Sequence, residues 1–182
     1  MGWASTGRQA RPRLNATLEA RGFVRIFRDL AILVVGVAIS FVSIFVLEYI
    51  VESYINPNSL HYGTIVETYG KSTDADSIRL LGEAERVYKR QVFFQTWIYV
   101  PVTALLIGIL VSMLADESSL YGLDREGIMP STSKYFLIAS VSITPLTLAY
   151  VMTSGSIFVV LVAPLISGCV ASIVQINRMR NY

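Results

Sequence analysis

Reactive residues are scarce in this chain of 182 residues: it has one cysteine, one histidine and only 15% charged residues. The lone Cys169 excludes an internal disulfide, and with His61 as its only histidine neighbour in kind it falls short of a four-ligand zinc site. One thiol likewise excludes a dithiol oxidase, and the absence of histidine from every long apolar run excludes an intramembrane serine and histidine pair. Those runs hold no pair of carboxylates for acid and base work. Gly63 and Gly70 are too far apart to form a phosphate-binding loop, and neither opens a strand-to-helix motif. No cofactor and no metal site is expected, and the chain reads as a non-enzyme.

Apolar residues, by contrast, make up 53% of the chain, with a mean hydropathy of +0.55. A soluble domain of this length does not need that much apolar surface, so the class is an all-α integral membrane protein. The run from Leu30 to Val51 is interrupted only by Gly36, Ser40, Ser43 and Glu48. A helix needs about 20 such residues to cross the ~30 Å hydrocarbon layer. The run is too long for a secretory signal core and lacks a cleavage motif, so it reads as an uncleaved signal anchor. Further transmembrane helices are expected over about 92–114, 135–153 and 157–176. Phe93, Phe94, Trp97 and Tyr99 mark an aromatic interface belt on the second. Only Ser154-Gly155-Ser156 separates the last two, which forces an antiparallel hairpin.

The expected architecture is thus four transmembrane helices (residues 30–176), preceded by a basic segment (1–29) and followed by a short tail (177–182). Within the first segment, Leu14, Leu18, Phe23, Ile26 and Phe27 recur at helical spacing against a set of arginines, as in an amphipathic helix lying at a membrane interface. Met1-Gly2 fits a myristoylation pattern and Asn15-Ala16-Thr17 a glycosylation acceptor, both short enough to arise by chance. Residues 52–91 form a long segment between the first two spans, predicted to be a partly ordered external loop. Asn56-Pro57-Asn58-Ser59 has turn chemistry, and Thr64–Tyr69 is rich in β-branched and aromatic residues, which predicts a short extended stretch. Ser72-Thr73-Asp74 offers helix caps. Beyond it Ile78, Leu81, Ala84, Val87 and Tyr88 form one face of a helix that leads into the second span.

Placing the N-terminus in the cytoplasm puts ten lysines and arginines inside and five outside, so both termini are expected in the cytoplasm of a cell-membrane protein. The second span alone argues the other way. Arg86, Lys89 and Arg90 precede it, whereas Asp116 and Glu117 follow it.

Few residues are candidates for function. Glu48 is the only ionisable residue within an apolar core, and an intramembrane carboxylate marks either a proton or cation site or a hydrogen-bonded pair. Gln95 sits at comparable depth on the second span and is its expected partner. Pro101, Pro145 and Pro164 each free the carbonyl four residues earlier, at Trp97, Val141 and Val160, and are candidate kinks. Small and hydroxyl residues recur at helical spacing, among them Gly36 and Ser40, Gly108 and Ser112, and Ser140, Thr144 and Thr147, as in helices that pack closely in lipid. Arg21, Arg25 and Arg28 form a basic surface, while Ile78, Leu81, Val87 and Tyr88 form an apolar one. The expected function is that of a non-catalytic accessory or scaffolding membrane protein, in contact with the lipid bilayer and with other membrane proteins or itself, and not with nucleic acid. The alternative is a small oligomeric transporter or channel protomer for a proton or small cation, with Glu48 and Gln95 at its mouth.

Overall fold

The computed structural model describes residues 10–115, 128–154 and 157–180. Asp116, Glu117, the turn at 121–127 and part of the 154–156 connection lie outside them. Among the described residues every regular element is helical: α1 (Ala10–Ile50), α2 (Tyr62–Tyr69), α3 (Ala75–Phe94), α4 (Val100–Leu114), α5 (Ile128–Ser142), α6 (Thr144–Ser154) and α7 (Ile157–Arg180). Five-residue π-helical turns at Val51–Ile55 and Gln95–Tyr99 extend α1 and join α3 to α4. Four stretches are long and apolar enough to cross a membrane: Ile26–Ile55, Ala75–Leu114, Thr132–Met152 and Ile157–Arg178. The first is dense in β-branched residues such as Ile32, Val34, Val35 and Val37, which are modest helix formers in water. In lipid, a helix is the conformation that satisfies every backbone group within one segment.

Interhelical bonds give the directions. Asp29 pairs with Lys134 near the start of the apolar stretches of α1 and α5, at 2.7 Å, and Ser40 donates to the Ser142 carbonyl further along both. These two helices therefore run parallel. Ser140 Oγ donates to the Pro164 carbonyl at 2.9 Å and Ser172 Oγ to that of Thr132 at 3.3 Å, so α5 and α7 are antiparallel. Successive apolar helices alternate in direction. The Asp29 end of α1 and the Arg178 end of α7 consequently share one end of the bundle, and the segment after α1 lies at the other.

α7 packs extensively on both α4 and α5, while α1 rests on α4 and on α5 and α6. Closeness comes from small residues. A Cβ on Gly36 would collide with the Ser142 side chain, one on Gly168 would stand 2.5 Å from Ser140 Oγ, and one on Gly108 would stand 2.5 Å from the Ser167 carbonyl oxygen. Between these contacts Ala104, Ile107, Val111, Ala139, Ile143 and Leu146 are fully buried and fill the middle of the bundle.

One expectation about residues 52–91 needs revision. Thr64–Tyr69 is not extended but belongs to α2. No partner strand is present among the described residues to reward β-branched residues, and α2 instead packs along α3, with Tyr62 stacked on Tyr88 at 5.2 Å between ring centroids. β-propensity reflects fit to a pleated surface, so without that surface it has little hold. The helix expected over residues 78–88 is present as α3 and leads into the second span. α3, the π-turn and α4 form one rod of 40 residues, roughly 60 Å long and twice the ~30 Å apolar layer.

Candidate functional site

The end of α1 turns polar on one face. Glu48, Glu52 and Asn56 recur every four residues, and the π-turn at Val51–Ile55, closed by the Asn56 N–H on the Val51 carbonyl at 2.7 Å, carries Glu52. Asn56 is buried and shapes the loop that follows. Its side chain accepts from the Leu60 N–H at 2.8 Å and donates to the Leu60 carbonyl at 3.2 Å, while its own carbonyl accepts from the Ser59 N–H. Ser59 takes a left-handed conformation, φ 51°, within this turn. The loop thereby sets His61 over the end of α1.

Across from it, Gln91 and Gln95 lie one turn apart where α3 enters the bundle. The second π-turn begins at Gln95, with the Val100 N–H reaching back to the Gln95 carbonyl. Pro101 follows directly. Its missing N–H is accommodated by this change of helical register, since a π-turn shifts hydrogen bonds one residue further back. Tyr99 Oη donates to the Ser43 carbonyl at 2.6 Å and fastens the turn to α1. From α6, Tyr150 is buried and hydrogen-bonded to Thr96 through its hydroxyl.

Together these elements enclose a cavity of about 230 Å³, lined by Glu48, Glu52, Asn56, Ser59, His61, Gln91, Gln95 and Tyr150 and by an apolar wall of Ile44, Leu47, Val51, Leu146 and Ala149. Glu48 and Gln95 both line this cavity. They are not hydrogen-bonded to one another, and among the described residues neither side chain has a hydrogen-bond or ion-pair partner. Glu48 and Glu52 are exposed at the mouth, whereas Gln95 is only 5% exposed. The cavity therefore combines two exposed carboxylates that form no ion pair with a described residue, the His61 imidazole and the Gln95 amide. Ala104, Ile107 and Ile143, which do not line it, are fully buried in the bundle.

The remaining candidates lie away from this cavity. Pro145 stands in the first turn of α6, just after the break at Ile143, where a proline costs no helical hydrogen bond. Hydroxyls serve nearby carbonyls: Thr144 Oγ1 donates to Ser140 at 3.3 Å, and Ser40 to Ser142. Pro164 lies inside an unbroken α7. Arg21 and Arg25 are on α1, but their side chains are outside the described set; Arg28 is half-buried beside Asp29. On α3, Ile78 is exposed, Leu81 and Val87 are half-buried, and Tyr88 is engaged with Tyr62.

Several participants escape the sequence argument. Glu52, Asn56 and Gln91 repeat at four-residue spacing from Glu48 and Gln95, a signal that marks one helix face. Tyr150 and His61 carry no such signal, because chain reversal brings them in. At the opposite end Arg178 donates to the carbonyls of Ser112 at 2.8 Å and Ala115 at 3.4 Å, capping the last turn of α4. No protein-family model matches this chain, and neither the curated proteins nor the solved structures contain a match.

Proposed function

We propose that this chain is a non-catalytic accessory or scaffolding protein of the cell membrane, which spans it four times with both termini in the cytoplasm and acts by contact with lipid and with other membrane proteins or itself. One observation carries the reading: the bundle interior is used up in packing. The glycine and serine contacts bring helices together, serine hydroxyls bond to carbonyls of their own or of facing helices, and fully buried aliphatic residues occupy the middle of the bundle. A bundle packed in this way suits contact better than passage. In this arrangement α3 projects on the outer side and presents Ile78, and the basic segment before the first span lies on the inner side, where each arginine near anionic headgroups contributes ~1 kcal/mol.

A photo-cross-linking residue at Ile78, introduced in native membranes, should trap a discrete partner. A gentle-detergent preparation that remains a lone monomer, with no adduct at Ile78 or Arg28, would contradict the reading. Orientation has its own test. In a Cys169→Ser background, single cysteines at Ser5, Ser72 and Ser119 should react with an impermeant external reagent only at Ser72.

The shared cavity of Glu48 and Gln95 favours a second reading, an oligomeric carrier of a proton or small cation. Its test is flux in proteoliposomes, which Glu48→Gln should abolish without loss of fold. No flux of any tested ion, or equal flux in the variant, removes that reading.

A further inference from the structure

Both π-turns of the described structure face the same cavity, one carrying Glu52 and the other beginning with Gln95. π-turns are uncommon in helices and concentrate at functional sites. More telling is Gln95 itself: it is 95% buried by the exposure given above, it lines the cavity, and its amide makes no hydrogen bond within the described protein. Its polar atoms keep some access to the cavity, so their partner comes from there, as water or as a bound group.

The lining defines that group. Glu48 and Glu52 are one helical turn apart on the same cavity, and like charges at this spacing repel. No cation of the described protein pairs with either; the ion pairs that form are Arg79 with Glu83, Lys89 with Glu85 and Lys134 with Asp29. A ligand of positive charge relieves that repulsion. Among the described residues, no set of three or more histidine, cysteine or acidic side chains is placed to hold a metal ion, and calcium takes six or more oxygen ligands. An aromatic cage for a quaternary ammonium is missing too, since Tyr150 is the only aromatic ring lining the cavity besides the imidazole of His61. Carboxylates and an amide oxygen are instead matched by N–H donors. At about 230 Å³, the cavity has room for several waters of ~30 Å³ each, and its wall of Ile44, Leu47 and Leu146 suits a short alkyl chain.

We propose that this cavity binds a primary alkylammonium group, with Glu48 and Glu52 as its charge partners and the Gln95 side-chain carbonyl accepting one of its N–H donors. The group can belong to a free amine or to the aminoethyl headgroup of a phospholipid, for the chemistry is common to both. This goes beyond the scaffolding role and requires no flux.

The full chain in maltoside micelles, titrated with n-butylammonium, should show saturable thermal stabilisation, with butanol, tetramethylammonium and potassium much weaker. Butanol lacks the charge, and the other two lack N–H donors. Glu48→Gln and Glu52→Gln should each weaken butylammonium by roughly tenfold or more, as loss of a charge-assisted hydrogen bond does. Both positions are exposed, so the melting curve without ligand should stay near that of the parent; Gln95→Leu is a third variant at the buried position. A second arm identifies the source. In nanodiscs, phosphatidylethanolamine that lowers the apparent butylammonium affinity relative to phosphatidylglycerol, and that is retained by the parent but not by Glu48→Gln, assigns a lipid headgroup. Unchanged affinity in the two lipids assigns a free amine. The proposal is overturned by a lack of saturable butylammonium binding, by equal binding of tetramethylammonium or potassium, or by undiminished affinity in the Glu48 and Glu52 variants.

Discussion

Replacing Gly108 by alanine should destabilise the bundle although alanine is the better helix former. The added Cβ would stand 2.5 Å from the Ser167 carbonyl oxygen and 3.0 Å from Val170 Cβ. The first of these atoms is backbone, so no side-chain rotation relieves it. Restoring ordinary contact distances of ~3.5 Å requires α4 and α7 to part by roughly 1 Å. Such overpacking costs ~1–3 kcal/mol, against a gain of ~0.8–1.0 kcal/mol in helix propensity. Gly82 supplies the reference, because a Cβ there meets nothing within 4 Å and Gly82→Ala should give the propensity gain alone. The difference between the two variants is thus ~1–3 kcal/mol. Reversible unfolding in mixed micelles, titrated with dodecyl sulfate and followed by circular dichroism, measures it, with hydrogen exchange across residues 75–94 reading the local gain at Gly82. Gly108→Val should be worse still. Gly108→Ala as stabilising as Gly82→Ala would refute close packing of α4 on α7.

Ser40→Ala removes the donor to the Ser142 carbonyl and should cost ~0.6–1.7 kcal/mol in the same unfolding titration; no change would mean that the carbonyl finds another donor. Arg178→Ala removes two donors and a positive charge from the end of α4, and should lower stability by ~1–2 kcal/mol and speed hydrogen exchange in residues 111–115, with exchange unchanged if the cap is idle. On α3, the hydrogen bond from Lys89, followed by its charge, holds the Glu85 carboxyl below its ordinary 4.5, and Glu85 in turn raises Lys89 above its ordinary 10.5. The Glu85 contribution is therefore present above 4.5 and lost as pH falls through the lowered value, while that of Lys89 is present below 10.5 and lost as pH rises through the raised one. Carboxyl NMR titration of Lys89→Ala should show the Glu85 midpoint rising towards 4.5; an unmoved midpoint would exclude the pair in solution.

The four apolar helices are legible in the sequence because each apolar run has the length that crossing a bilayer needs. Depth matching along those runs also brings Glu48 and Gln95 to one place. What the runs do not encode is register within a helix. The two π-turns each insert one residue per turn without a compositional mark, and they decide that Glu52 and Gln95 look into the same cavity. Thr64–Tyr69 misleads for a related reason: its β-branched residues describe a preference that only a neighbouring strand could satisfy, whereas α3 offers a helix face. Ser142 likewise goes unnoticed beside Ser140, Thr144 and Thr147, since which serine meets Gly36 depends on the rotation of α5 about its axis.

Water access along the bundle tests the account most directly. In a Cys169→Ser background reconstituted into liposomes, single cysteines at Glu48 and Gln95 should react with a small, water-soluble thiol reagent. Cysteines at Ala104, Ile107, Ala139 and Ile143, all fully buried, should not react from either side. Protection at those four positions is what a blind cavity above a packed midsection predicts. Labelling of Ile107 and Ile143 in the folded protein would reveal a polar path through the bundle and contradict a role confined to packing and contact.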